Sequence, residues 1–144
     1  MFEIRGEGIL SPIRNFNTGA TRSSDADRPD YEGYLSPLVI ERYGAYMLKH
    51  QVQADGGIRS SDNWQNGMPL SSYVKGMWRH FHHFWMRHRS YEVADHLAAA
   101  NIEEDLCAIM FNAQGYLHQL LLKKQPEKAD IALGKAAWAY DYPK

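Results

Sequence analysis

The chain has 144 residues, 44% of them hydrophobic and 12% aromatic, which is enough for one domain with a core and too few for two. A formal net charge of -1 and a pI near 6.6 offer no global attraction to a nucleic-acid backbone, so any basic surface must be local. A single cysteine, Cys107, excludes an internal disulfide and a Cys-x-x-Cys zinc site, and points to a reducing cytoplasm.

The opening MFEIRGEGILSPIRNFN carries acidic residues early and no long apolar run, so it reads as neither a secretory signal nor a membrane span. Residues 1–34, which end NTGATRSSDADRPDYEGY, are polar and without a sustained period, and are expected to form an arm that is partly disordered or docked. A helical bundle is expected over 35–122, followed by a docked or loose tail over 123–144. In SPLVIERYGAYMLKH, Ser36 is placed to cap a helix and Pro37 to take its first position, where the missing N–H costs nothing. Val39, Ile40, Tyr43, Tyr46 and Met47 recur at spacings of three and four, an amphipathic stripe that leaves Glu41 to one side. Gln51 to Ser72 contains Gly-Gly and Asn-Gly turn signals together with Trp64, whose indole favours burial, and reads as a structured loop.

A second helix is expected from about Ser72 to His88, with Val74, Met77, Trp78, Phe81, Phe84, Trp85 and His88 on one side. The last strong helix begins at Asn101, or as early as Asp95, and puts Ile102, Leu106, Ile109, Ala113, Tyr116, Leu117 and Leu120 on a common face. No segment alternates with period two and no repeat recurs. The expected class is therefore all-α, a small helical bundle.

The stretch RHFHHFWMRH, Arg79 to His88, concentrates histidine and arginine. On a helical wheel Arg79, His83 and Arg87 lie opposite the apolar stripe with His80 and His82 on its flanks, so the four histidines are not expected to converge on one point. Only His80 and His83 have the spacing of a helical metal pair, and no carboxylate accompanies them on that helix, which weighs against zinc. From Asn63 through Tyr91 there is no Asp or Glu, while Lys75, Arg79, Arg87 and Arg89 bring fixed positive charge suited to phosphate oxygens. A solvated basic face would explain the same run.

The acidic counterpart is Glu103, Glu104 and Asp105. Asp105 and Asn112 share the edge of the last helix's apolar face, and a carboxylate directed toward a core requires a partner. That partner is a divalent cation held by carboxylates of facing helices, with Glu41 as a further ligand, or else Asn112 or a basic residue of the preceding helix. Glu104, three places after Asn101, also fits a capping box. Glycine-rich phosphate loops, Gly-x-Ser-x-Gly and His-Glu-x-x-His are all absent, and Cys107 has no sequence-visible activator.

With TGATR at 18 to 22, RPDYEGYLSP at 28 to 37, NWQNGMP at 63 to 69, Arg79-His80, and EEDLCAIMFNAQGYLH at 103 to 118, the chain resembles the mostly phage-encoded dATP/dGTP diphosphohydrolase N-terminal domain family. The match runs from about Thr18 to Leu122, and the family is similar in turn to the all-α, MazG-like nucleotide pyrophosphohydrolases. The resemblance implies a hydrolase that converts a deoxynucleoside triphosphate to the monophosphate and pyrophosphate with Mg²⁺, or Mn²⁺, in a host-cell cytoplasm. On that reading Glu41, Glu104 and Asp105 hold the metal, and Glu104 and Asp105 orient the attacking water. Lys75 and Arg79 grip the phosphates, Asn63, Trp64 and Asn112 contact base or sugar, and His80 orients a carboxylate or touches phosphate. The MazG-like order, Glu-Glu-x-x-Glu then Glu-x-x-Asp, is not reproduced; Glu92-x-x-Asp95 matches its second half only.

The rival expectation is a binding or assembly module that keeps the bundle without the chemistry. A hydrolase brings Asp105, Glu41 and Arg79 to one cavity, whereas a module ties them up in ion pairs or scatters them. The aromatic load implies a homo-oligomer in either case. Neither a membrane nor a nucleic acid is the expected partner.

Overall fold

The structure is a computed structural model that describes residues 12–94 and 101–124. The chain divides into two compact units between Pro37 and Leu38.

In the first unit, β1 (Ile13–Asn15) and β2 (Thr21–Ser23) pair antiparallel, Ile13 opposite Ser23 and Asn15 opposite Thr21. The connecting turn is closed by the Phe16 N–H to Ala20 O and the Gly19 N–H to Phe16 O. Arg14 stands across from Arg22, a repulsive pairing that Asp25 relieves by taking the Arg14 guanidinium at 2.5 Å. This hairpin corrects the all-α expectation: the chain is mainly helical with a small antiparallel sheet. Strands of three largely exposed residues are too short to display period-two alternation. A single turn of helix, α1 (Tyr31–Tyr34), follows, and the Asp30 carboxylate caps it by accepting the Gly33 N–H at 2.9 Å.

The second unit is built from α2 (Pro37–Lys49), whose first residue lies on the other side of the division, α3 (Leu70–His88) and α4 (Ile102–Lys123). Pro37 opens α2 as its fixed φ suggests, and Asn101 caps α4 by accepting the Glu104 N–H at 2.9 Å, one half of the expected capping box. The alternative start of that helix at Asp95, and the tail beyond Lys124, lie outside the described residues.

Helices α3 and α4 run antiparallel, with Tyr73 against Gly115 at one end and Arg87 against Asp105 at the other. The buried residues are Leu70, Tyr73, Gly76 and His83 on α3, and Asp105, Cys107, Ala108, Asn112, Gly115 and Gln119 on α4. Tyr73, Gly76, His80, His83 and Arg87 follow a three-four-three-four spacing, and so do Asp105, Ala108, Asn112, Gly115 and Gln119. That is the register of a coiled-coil seam. Glycine makes the close approach possible, because a methyl at Gly115 would run into the Tyr73 ring, itself 1% exposed.

The apolar stripes expected to face the core are turned outward instead. Trp78 is 69% exposed, Trp85 52% and Leu117 56%, and Phe81, Leu106 and Leu120 are exposed as well. The physical reason is that small residues let the polar faces of α3 and α4 approach, and ionic and hydrogen-bonding partners across the seam satisfy one another. Between α2 and α3, an antiparallel bridge from Val52 to Ile58 and the Arg59 N–H to Gln51 O bond shape the loop that presents Arg59. A turn of 3-10 helix, Asn63–Asn66, ends at Gly67, whose φ of +75° favours glycine. Among the described residues, no helix is long and apolar enough to cross a membrane.

Candidate functional site

Successive residues on a helix point about 100° apart. The first turn of α4 therefore sends its three acids in different directions. Glu103 and Glu104 meet α2: Arg42 Nε donates to Glu103 Oε2 at 2.6 Å and Nη2 to Glu104 Oε1 at 2.9 Å. Lys49 Nζ lies 3.5 Å from Glu104 Oε2 and His50 Nε2 3.8 Å from it. Burial pushes the Glu104 carboxyl up, but the Arg42 hydrogen bond and the Lys49 and Arg42 charges outweigh it and hold the group below the usual range.

Asp105 turns the other way, into the α3–α4 seam, and is 1% exposed. Its two oxygens have separate duties. Oδ2 accepts from Arg87 Nη1, while Oδ1 faces His80 Nδ1 at 3.6 Å and His83 Nδ1 at 3.9 Å. Those two separations exceed a hydrogen bond, and the buried Nδ1 of His80 has no hydrogen-bond partner. Burial, then the Arg79 charge, lowers the His80 pKa against the pull of Asp105, which favours the neutral imidazole with a lone pair to donate. Among the described residues His80, His83 and Asp105 form the group able to hold a metal ion, their donor atoms all within 4.8 Å of one another.

The remaining sequence-predicted residues are distributed unevenly. Glu41 is exposed on α2 and Glu104 is committed to Arg42 and Lys49, so neither joins the metal-capable group around Asp105. The reason for Glu104 is the helical step between it and Asp105. Lys75 and Arg79 are exposed on α3. Asn112 is buried in the seam and donates through Nδ2 to the Ala108 carbonyl at 2.8 Å. The four histidines do not gather; His80 and His83, the pair with metal-ligand spacing, face a carboxylate that comes from another helix. Exposed His82 and His88 do not join them.

Asn63 and Trp64 line a cleft of about 330 Å³ together with Tyr46, His50, Arg59 and Phe111. Tyr46 stacks obliquely on His50, ring centroids 4.3 Å apart, and burial followed by the Glu104 charge pushes its phenol up to about 12, so it remains a donor at neutral pH. The Trp64 ring meets His118 edge to face at 4.7 Å. Arg59 is the residue sequence reasoning missed, while His83 was weighed with His80 as a metal pair and set aside for want of a carboxylate on the same helix. The signal for Arg59 was a lone cation just before the Asn-Trp pair; for His83 it was the three-four spacing of His80, His83 and Arg87, which Asp105, Ala108 and Asn112 repeat.

Comparison with known protein families, with curated proteins and with solved structures returned no match to this chain.

Proposed function

We propose that this protein is a metal-dependent nucleoside triphosphate pyrophosphohydrolase acting on dATP or dGTP, releasing the deoxynucleoside monophosphate and pyrophosphate. The observation that carries the reading is Asp105, a buried carboxylate with one oxygen anchored by Arg87 and the other turned to two imidazoles. Such an arrangement leaves one oxygen for a metal ion while the guanidinium orients the other. Mg²⁺ or Mn²⁺ held by Asp105 together with the substrate's own phosphate oxygens would neutralise phosphate charge and lower the pKa of a water.

The chain's own residues supply recognition. Trp64 offers an aromatic face and Asn63 an amide to a base, and Arg59 a fork for phosphate oxygens, all on one cleft. Lys75 and Arg79 add exposed positive charge along α3. A second copy of the chain completes the bundle, because the α3–α4 pair leaves Trp78, Phe81 and Trp85 open, and two packed helices are half of a four-helix arrangement.

The test is pyrophosphate release from a panel of ribo- and deoxyribonucleoside triphosphates, with Mg²⁺ or Mn²⁺ and with chelator. The expected result is metal-dependent release confined to purine deoxynucleotides, abolished by Asp105→Asn and reduced by Arg79→Ala. If both variants leave turnover unchanged, the reading falls. The second reading, a non-catalytic nucleotide-binding or assembly module, is favoured by the engagement of Glu103, Glu104 and Asp105 with the chain's own cations. It takes over if folded protein is silent across the panel.

A further inference from the structure

We infer that His80, His83 and Asp105 form a binding site for a divalent first-row transition metal of the zinc or cobalt kind, distinct from an all-carboxylate magnesium site, with Arg87 as the positioning residue for the carboxylate. Three observations carry this. The three side chains come from two helices that also pack along their seam, so the site sits on rigid elements. For ligands at about 2.0–2.1 Å from a tetrahedral ion, the ligand-to-ligand edge is about 3.3 Å. The His80 and His83 Nδ1 atoms stand 3.6 and 3.9 Å from Asp105 Oδ1, so adjustments of about half an ångström bring these two edges to that value, and the donor atoms of all three residues lie within 4.8 Å of one another. Finally, Arg87 occupies Oδ2 and leaves Oδ1 to face the imidazoles, the outer-shell arrangement by which proteins orient a ligating carboxylate.

The donor chemistry selects the metal. Two imidazole nitrogens suit zinc, cobalt or nickel, whereas magnesium and calcium take oxygen ligands. Three protein ligands leave a coordination position for water or a phosphate oxygen, the pattern of a reactive rather than a closed structural site. The inference shares Asp105 with the hydrolase reading but requires no nucleotide, so the two can fail separately.

The experiment titrates the full-length protein with Co²⁺, followed by visible absorption, and with Zn²⁺ by calorimetry, both with Mg²⁺ in large excess. The expected result is one ion per chain, absorption of tetrahedral or five-coordinate intensity, and no displacement by Mg²⁺. His80→Ala and Asp105→Asn lose the site, Arg87→Gln weakens it about tenfold, and His82→Ala, altering an exposed neighbour, leaves it unchanged. His80 is only partly buried, so its variant remains informative if Asp105→Asn does not fold. Absence of stoichiometric binding overturns the inference, as does binding that survives His80→Ala or yields to Mg²⁺. Cobalt binding without pyrophosphate release keeps the metal site and removes the hydrolase. Release supported by Mg²⁺ without cobalt binding does the reverse.

Discussion

Helix α3 has two faces of opposite character, and the polar one is inside. Along Tyr73, Gly76, His80, His83 and Arg87 it meets α4, with Tyr73 and Gly76 closely packed and the last three gathered on a carboxylate. Along Val74, Met77, Trp78 and Phe81 it borders an apolar groove of about 340 Å³ completed by Ile109. The difference shows what each face is for: the seam derives its order from directional partners, while the groove offers non-directional apolar area to whatever covers it.

Deleting the carboxylate should break the seam most severely. Asp105→Ala leaves the Arg87 guanidinium without its anion in a largely buried position, and a loss of about 3–5 kcal/mol is expected in urea unfolding. The double variant Asp105→Leu with Arg87→Met should recover much of it, because a packed apolar pair can replace a buried ionic one. If the single variant costs under about 1 kcal/mol, the seam is not organised by charge.

Gly115→Ala tests close approach rather than charge. Its methyl collides with Tyr73, and a net loss of about 1–2 kcal/mol is expected in the same assay, after the roughly 1 kcal/mol that alanine gains in helix propensity. On the outer face the opposite signature is expected. If a second copy covers this face as proposed, Trp78→Asp should lower the mass read by light scattering while helicity stays near that of the parent. Loss of helicity without a change of mass would mean that this face supports the single chain's own fold.

The smallest effect concerns pH. Burial lowers the His118 pKa, so the folded chain prefers it neutral. A group depressed in this way makes the unfolded chain the better proton binder below about pH 6.5, and stability falls as the pH is lowered from there through the folded value. Above about 6.5 His118 contributes no slope. His118→Gln should flatten the decline of melting temperature between neutral pH and the point where carboxylates begin to protonate. An unchanged decline would assign it to other groups, His80 first.

Local chemistry was legible in the sequence wherever a single residue type decides an outcome: Pro37 opens α2, Asn101 caps α4, and the period of α3 and α4 is helical throughout. The side each helix turns inward was not legible, because a wheel ranks faces by apolar area and is blind to Gly76 and Gly115, which set how near two backbones can come. The candidate site was half legible for the same reason. Asp105 was marked as a carboxylate in need of a partner, and a basic residue of the preceding helix, Arg87, meets it. His80 and His83 were judged by their own helix alone, although the ligand that joins them lies 22 positions beyond His83. The hairpin at 13–23 left no trace because its strands bury almost nothing.

The first turn of α4 joins the three long helices of the second unit through adjacent residues, Glu104 to α2 and Asp105 to α3. Below the range in which His118 acts, acid reaches this turn: Glu104, held below its ordinary value, supports the fold above the unfolded carboxylate range and loses that support as the pH drops through its folded value. The far end of the pair, where Tyr73 lies on Gly115, carries no such carboxylate and responds to pH through His118 instead. Once the pH has fallen through the folded carboxylate value, amide hydrogens near Leu106 should therefore lose the protection this turn gives them, so that the helix pair opens from that end.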